Sequence, residues 1–124
     1  MRRVLVVDDD EAVRVYLHEV LAAHGYETAL TETAPQALAT QVSFRPHVVL
    51  LDVVMPGMTG IEIVETLMAV NPDVIVIIMT GYANDGSALQ AIALGARDYL
   101  VKPFDWEQLK TLLEVYALLD RGRS

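Results

Sequence analysis

Short apolar runs alternate along the chain with longer segments of helical periodicity, and the alternation repeats five times. Arg3–Val7, built on Val4-Leu5-Val6-Val7, reads as a strand. Asp10–Ala23 follows as a helix with Val13, Leu17, Val20 and Leu21 on one face. Gly25 ends that helix. Tyr26–Thr31 is a weaker strand, and Ala34–Val42 a short helix whose first turn tolerates Pro35. His47–Leu51 is an apolar strand ending at Asp52. Gly57 to Gly60 read as a turn, and Ile61–Val70 as a helix with Ile61, Val64, Leu67 and Met68 inward. Val74–Met79 is the most strand-like segment. Asn84–Leu94 is an Ala-rich helix stopped by Gly95, Asp98–Val101 a fifth strand, and Trp106–Leu119 the last helix.

Five β-α units with strands apolar on both faces predict a parallel sheet covered by helices on both sides. Right-handed crossovers favour a doubly wound α/β arrangement. At 124 residues the chain fits one domain, and 53% hydrophobic residues suffice for a core. No repeat, low-complexity segment or long linker interrupts it. The polar stretch Asp120–Ser124 is expected to fray.

Composition narrows the function. No apolar run approaches a membrane span, and only four apolar residues separate Arg2-Arg3 from the acidic cluster, too few for a secretory signal. Cysteine is absent, which removes disulfide and thiol chemistry and suits the cytoplasm. The formal net charge is −8 and no basic stripe appears, so the domain itself should bind neither nucleic acid nor anionic membrane.

In open parallel sheets ligands bind beyond the carboxyl ends of the strands, where strand order reverses. The first strand ends at Asp8 and Asp9, the third at Asp52, the fourth at Thr80-Gly81 and the fifth at Lys102-Pro103. The second ends at Thr31 and Glu32, which look unremarkable. Each residue has an ordinary reading. Asp10 and Glu11 suit the start of the first helix as cap and first-turn acid. Thr80 alone reads as a turn residue, Lys102 as a solvated lysine, and Pro56-Gly57 as turn punctuation. Asp8 and Asp9 fit less well, because one cap does not need both.

Together the strand ends are more specific. Clustered carboxylates without Cys or neighbouring His suit a hard cation such as Mg²⁺ or Mn²⁺. At about 5 Å and an effective dielectric of about 20, each carboxylate pair repels by about 3 kcal/mol unless a cation offsets it. A hydroxyl and an ammonium suit an anion on the far side of the metal. Carboxylate, metal, lysine and hydroxyl together describe phosphoryl transfer to an aspartate. His18, His24 and His47 do not gather at a strand end and receive no metal or phosphoryl role. Met55, Met58 and Trp106 read as packing residues.

The segments VLVVDDD, VVLLDVVMPGMTG, VIVIIMTGYA and GARDYLVKPF, in that order on those strand ends, resemble the receiver domain of two-component response regulators over nearly the whole chain. The later half, with MTGYA and GARDYLVKPFD, is similar to receivers attached to nitrogen-regulatory-type activators. The resemblance implies a chemotaxis-regulator-like, flavodoxin-like sheet of order 2-1-3-4-5 with five helices. It implies a receiver at residues 1–120, with 121–124 a frayed tail or the start of a linker. It implies Asp52 as phosphoacceptor and Asp8, Asp9, Asp52 and the carbonyl of Val54 as the protein's Mg²⁺ ligands. Thr80 and Lys102 would meet phosphoryl oxygens, and Tyr99 would turn inward as Thr80 moves. Pro56 and Gly60 would shape the loop after Asp52, and the Lys102–Pro103 bond would be cis. The implied partner is a sensor histidine kinase or a phosphotransfer protein. The implied output face comprises Asn84–Leu94, Arg97–Val101 and Asp105–Leu119, through which relatives bind partners or dimerise, here to control a partner or an attached output domain. Val54 and Tyr82 offer no carboxylate or carboxamide to orient an attacking water, which predicts slow autodephosphorylation.

Two other readings compete. Asp8-Asp9-Asp10 contains a D-x-D motif, as in haloacid-dehalogenase-like phosphatases that would use Asp8 as nucleophile. Ala12 departs from that motif, and Asp52 would then have no task. A binding module that has lost phosphorylation is the third, and the complete set Asp8, Asp9, Asp52, Thr80 and Lys102 argues against it. The expected role is thus a phosphoacceptor signalling domain and not an enzyme acting on an external substrate.

Overall fold

The computed structural model describes residues 2–52, 60–81 and 87–121. Five strands and five helices alternate: β1 (Arg3–Val7), α1 (Glu11–Ala23), β2 (Glu27–Thr31), α2 (Ala34–Phe44), β3 (Val48–Asp52), α3 (Gly60–Val70), β4 (Ile75–Thr80), α4 (Ser87–Ala93), β5 (Asp98–Val101) and α5 (Trp106–Arg121). The strands form one parallel sheet in the order β2-β1-β3-β4-β5. The five-unit α/β reading and the implied strand order both hold.

Strand alternation divides the core into two layers. Leu5, Val7, Val49, Leu51, Val76 and Ile78 face one side, against Ala34 and Ala37 of α2, Ile63, Val64 and Leu67 of α3 and Ala91 of α4. Val4, Val6, Leu50, Ile77 and Met79 face the other, against Leu17 and Leu21 of α1 and Leu109 and Leu113 of α5. Every residue of β3 and β4 is buried, which is why those segments read as unbroken apolar runs. The edge strand β2 is half exposed, and its sequence signal is correspondingly weak.

Helix ends follow capping chemistry. Asp10 caps α1, its Oδ1 accepting from the Ala12 N–H at 2.9 Å. Gly25, at φ +87°, supplies the left-handed turn after α1. Asp105 and Gln108 cap α5 reciprocally: the Gln108 N–H donates to Asp105 Oδ1 at 2.9 Å, and the Asp105 N–H to Gln108 Oε1 at 3.0 Å.

Several boundaries differ from expectation. The second helix continues to Phe44, because Arg45 takes the left-handed conformation at φ 52° and its N–H returns to the Gln41 carbonyl at 2.9 Å. Gly60 opens α3 and does not close the preceding turn. The third and fourth strands start one residue late, and Thr80 belongs to β4. The last helix takes in Asp120 and Arg121. The expected start of the fourth helix at Asn84, and the site positions Val54 and Pro56, lie outside the described residues. Among the described residues no helix is long and apolar enough to cross a membrane.

Candidate functional site

The strand order reverses beside β1, so the crevice beyond its carboxyl end and that of β3 is where a ligand site belongs. Sheet register brings the chemistry there. Val7 pairs with Leu51, so Asp8, next in line, is level with Asp52. Asp52 pairs with Met79, which sets Thr80 one step further out on β4. Thr80 pairs with Val101, so Lys102 is a step beyond again, and the Lys102 N–H donates to the Thr80 carbonyl at 2.7 Å.

Asp8 is fully buried, and both its carboxylate oxygens are occupied. Oδ1 accepts from the Asp10 N–H at 2.9 Å, and Oδ2 from the Lys102 ammonium at 2.6 Å. Asp52 is also buried, with its Oδ2 3.5 Å from the same ammonium. Asp9 is exposed. Each of Asp8, Asp9 and Asp52 offers a carboxylate oxygen, and the three lie within 4.8 Å of one another. This all-oxygen donor set fits Mg²⁺ or Mn²⁺. Burial works to lower the Lys102 pKa, but the hydrogen bond to Asp8 and the charges of Asp52 and Asp8 outweigh it, and the net shift is upward.

The remaining positions divide. Thr80 is buried. Tyr99 is 42% exposed on β5, the outward position of a residue expected to turn inward. The Lys102–Pro103 peptide bond is cis. Val54, Tyr82, Pro56, Met55 and Met58 lie outside the described residues. His18 meets Thr28 Oγ1 at 2.5 Å, His24 the Val20 carbonyl at 2.7 Å, and His47 accepts from the Arg3 N–H at 3.2 Å. Trp106 packs on the α1/α5 side of the core and against the His24 ring, with centroids 4.3 Å apart.

Two contributions were not legible at the strand ends. Thr31 and Glu32 are not idle: the Asp8 N–H donates to the Thr31 carbonyl at 3.1 Å, and Glu32 Oε1 lies 3.9 Å from the Arg14 guanidinium. Arg14 donates to the Asp8 main-chain carbonyl at 2.8 Å. The available signal is its spacing, since Arg14 shares a helical face with the buried Leu17 and Leu21. An apolar groove of about 460 Å³ opens beside Lys102, lined by Ala12, Val13, Tyr16, Lys102, Pro103 and Phe104.

A doubly wound sheet thus carries an acidic cluster and a lysine over its switch point. The chain belongs to the response regulator receiver domain family, whose model matches residues 4–114. It is 36% identical over 117 residues to sporulation initiation phosphotransferase F of Bacillus subtilis (strain 168), covering 94% of each chain. It is 39% identical over 119 residues to the response regulator MprA of Mycolicibacterium vanbaalenii, covering 96% of this chain and 51% of that one. The crystal structure of NtrX from Brucella abortus superposes with a TM-score of 0.89 at 30% identity, over 98% of this chain and 29% of that one. The chain thus spans about half of MprA and under a third of NtrX. The likeness to NtrX accords with the kinship expected from the later half of the sequence. The phosphatase alternative finds no support among these matches.

Proposed function

We propose that this receiver accepts a phosphoryl group on Asp52 from the phosphohistidine of a sensor kinase or phosphotransfer protein. The observation that carries the reading is the convergence of the Asp8, Asp9 and Asp52 oxygens within 4.8 Å, with Lys102 at 2.6 Å and 3.5 Å from two of them. An Asp52 carboxylate oxygen attacks phosphorus, forming the acyl phosphate, while the phosphorus–nitrogen bond breaks and the imidazole leaves with the electron pair. Asp8, Asp9 and Asp52 would hold Mg²⁺, and the family resemblance would add the carbonyl of Val54, which lies outside the described residues. When bound, the ion supplies charge neutralisation for the transferring oxygens. Lys102, whose ammonium has three donors, pairs with a phosphoryl oxygen, and the Thr80 hydroxyl meets another. The apolar groove beside Lys102 offers a contact surface for the donor protein.

Phosphorylation then biases a two-state packing of Thr80 and Tyr99, and the output face reads it. Leu89, Ile92, Tyr99, Val101, Val115 and Leu118 are exposed across α4, β5 and α5, an apolar surface suited to a partner or to a second copy. The decisive experiment is incubation with a small acyl phosphate and Mg²⁺, comparing wild type with Asp52→Asn. Uptake is expected in wild type only; normal uptake by the mutant would overturn the assignment. Light scattering with and without phosphodonor tests the dimer, and an unchanged monomer at high concentration counts against it.

A further inference from the structure

Arg14 is a cation inside the molecule, with a side chain only 13% exposed. A guanidinium in that position needs its donors used. One goes to the main-chain carbonyl of Asp8 at 2.8 Å, and another nitrogen lies 3.9 Å from the exposed Glu32 carboxylate. The Asp8 carbonyl belongs to the peptide plane that joins Asp8 to Asp9. That plane is rigid, so a bond to its oxygen also fixes the direction in which Asp9 leaves it.

We propose that Arg14 is a positioning residue for the cation site, holding Asp9 in register with Asp8 and Asp52 through the peptide plane before it. The inference rests on the reading above that these carboxylates bind Mg²⁺. Asp8 has ample other support: its N–H is bonded to Thr31, and its two carboxylate oxygens to Asp10 and Lys102. Asp9 does not. Its side chain is exposed and has no hydrogen-bond or ion-pair partner among the described residues. Its orientation therefore depends on the backbone, and Arg14 reaches that backbone from α1. Without the guanidinium, only the plane after Asp9 stays tied, and freer rotation on the other side lets the Asp9 carboxylate move away from Asp8 and Asp52. Outer residues that orient metal ligands act in this way.

The charge of Arg14 works in the opposite direction, since a nearby cation opposes Mg²⁺ entry. This difference in sign makes the proposal testable. Mg²⁺ is titrated into the whole chain and followed at the amide NMR signals of Asp8, Asp9 and Asp10. Arg14→Met removes donor and charge and keeps the apolar stem; Arg14→Lys keeps the charge and one donor. About a tenfold weaker Mg²⁺ affinity is expected for Arg14→Met, with Arg14→Lys in between. Phosphorylation of Arg14→Met by a small acyl phosphate should be slow at low Mg²⁺ and recover at saturating Mg²⁺. Affinity equal to or tighter than wild type overturns the proposal, leaving Arg14 as a packing residue or a simple charge. If Arg14→Met does not fold, Arg14→Lys carries the test alone: a several-fold loss supports the proposal and unchanged affinity overturns it. If the wild type shows no Mg²⁺ response and Asp9→Asn changes nothing, the cation-site reading fails, and this inference fails with it.

Discussion

The Lys102 ammonium stands 2.6 Å from Asp8 Oδ2 and 3.5 Å from Asp52 Oδ2, one cation spanning carboxylates that end two neighbouring strands. The cluster therefore contains a counter-ion supplied by β5, and the carboxylate repulsion inferred from sequence is partly offset before any metal arrives. The same lysine is the group expected to meet the phosphoryl group. An ammonium carries three donors, so Lys102 has capacity for a further anion beside its contact to Asp8.

Lys102→Met should expose the dependence of Asp8 on its counter-ion. Removing the lysine of this partly buried pair leaves the buried Asp8 carboxylate without its counter-ion, and about 2 kcal/mol of destabilisation is expected in chelator. Mg²⁺ should restore part of it by supplying another cation. Urea melts with and without Mg²⁺ measure both quantities, and a variant as stable as wild type in chelator would show that the pair holds nothing together.

Adjacent acids should respond with opposite signs. Asp8 is buried and accepts two hydrogen bonds, so Asp8→Ala orphans the Asp10 N–H, leaves Lys102 with Asp52 alone, and should destabilise by about 2 kcal/mol. Asp9 is exposed and contributes repulsion, so Asp9→Ala in chelator should stabilise by about 1 kcal/mol. Saturating Mg²⁺ should reverse the second effect, since bound metal stabilises only the chain that can hold it. Thermal melts decide, and the same sign for both variants in chelator would contradict the division of roles between Asp8 and Asp9.

Tyr116 offers a test away from the acidic edge. Its hydroxyl lies 2.9 Å from the Arg97 carbonyl and 3.0 Å from Asp98 Oδ2, tying α5 to the start of β5 beside Tyr99. Tyr116→Phe should cost about 1 kcal/mol in a urea melt. Amide exchange at Asp98 and Tyr99 should quicken in the variant, and unchanged protection there would mean the contact does not restrain β5.

The residues that were legible in the sequence are those whose chemistry sits on a strand end. Asp8, Asp9, Asp52, Thr80 and Lys102 could be found because parallel strands deliver their last residues to one edge, and an apolar run marks where each strand stops. Asp10 was legible as a cap because its side chain acts two residues away, on Ala12. Arg14 and Thr31 were not. Arg14 acts through a main-chain carbonyl six residues earlier, and Thr31 receives the Asp8 N–H across the sheet, so neither contact leaves a pattern of residue types. The boundary at Arg45 escaped for a related reason, since a non-glycine residue took the left-handed conformation that usually marks a helix end with glycine.

The last expectation concerns alkaline pH. The Lys102 pKa is raised: burial works to lower it, but the bond to Asp8 and the charges of Asp52 and Asp8 prevail. The Tyr116 pKa is raised by burial, then by its hydrogen bond to Asp98 and the charge of that carboxylate. Both groups hold their protons more tightly folded than unfolded. Their contribution to stability is therefore complete below the ordinary values of 10.5 for lysine and 10.0 for tyrosine, and is lost as pH climbs through the raised folded values. Urea melts between about pH 8 and about pH 11.5 should show stability falling only on the alkaline side for these two groups. Lys102→Met and Tyr116→Phe should each flatten that fall while leaving the profile below it parallel to wild type. Alkaline slopes identical to wild type in both variants would mean that neither contact is linked to folding.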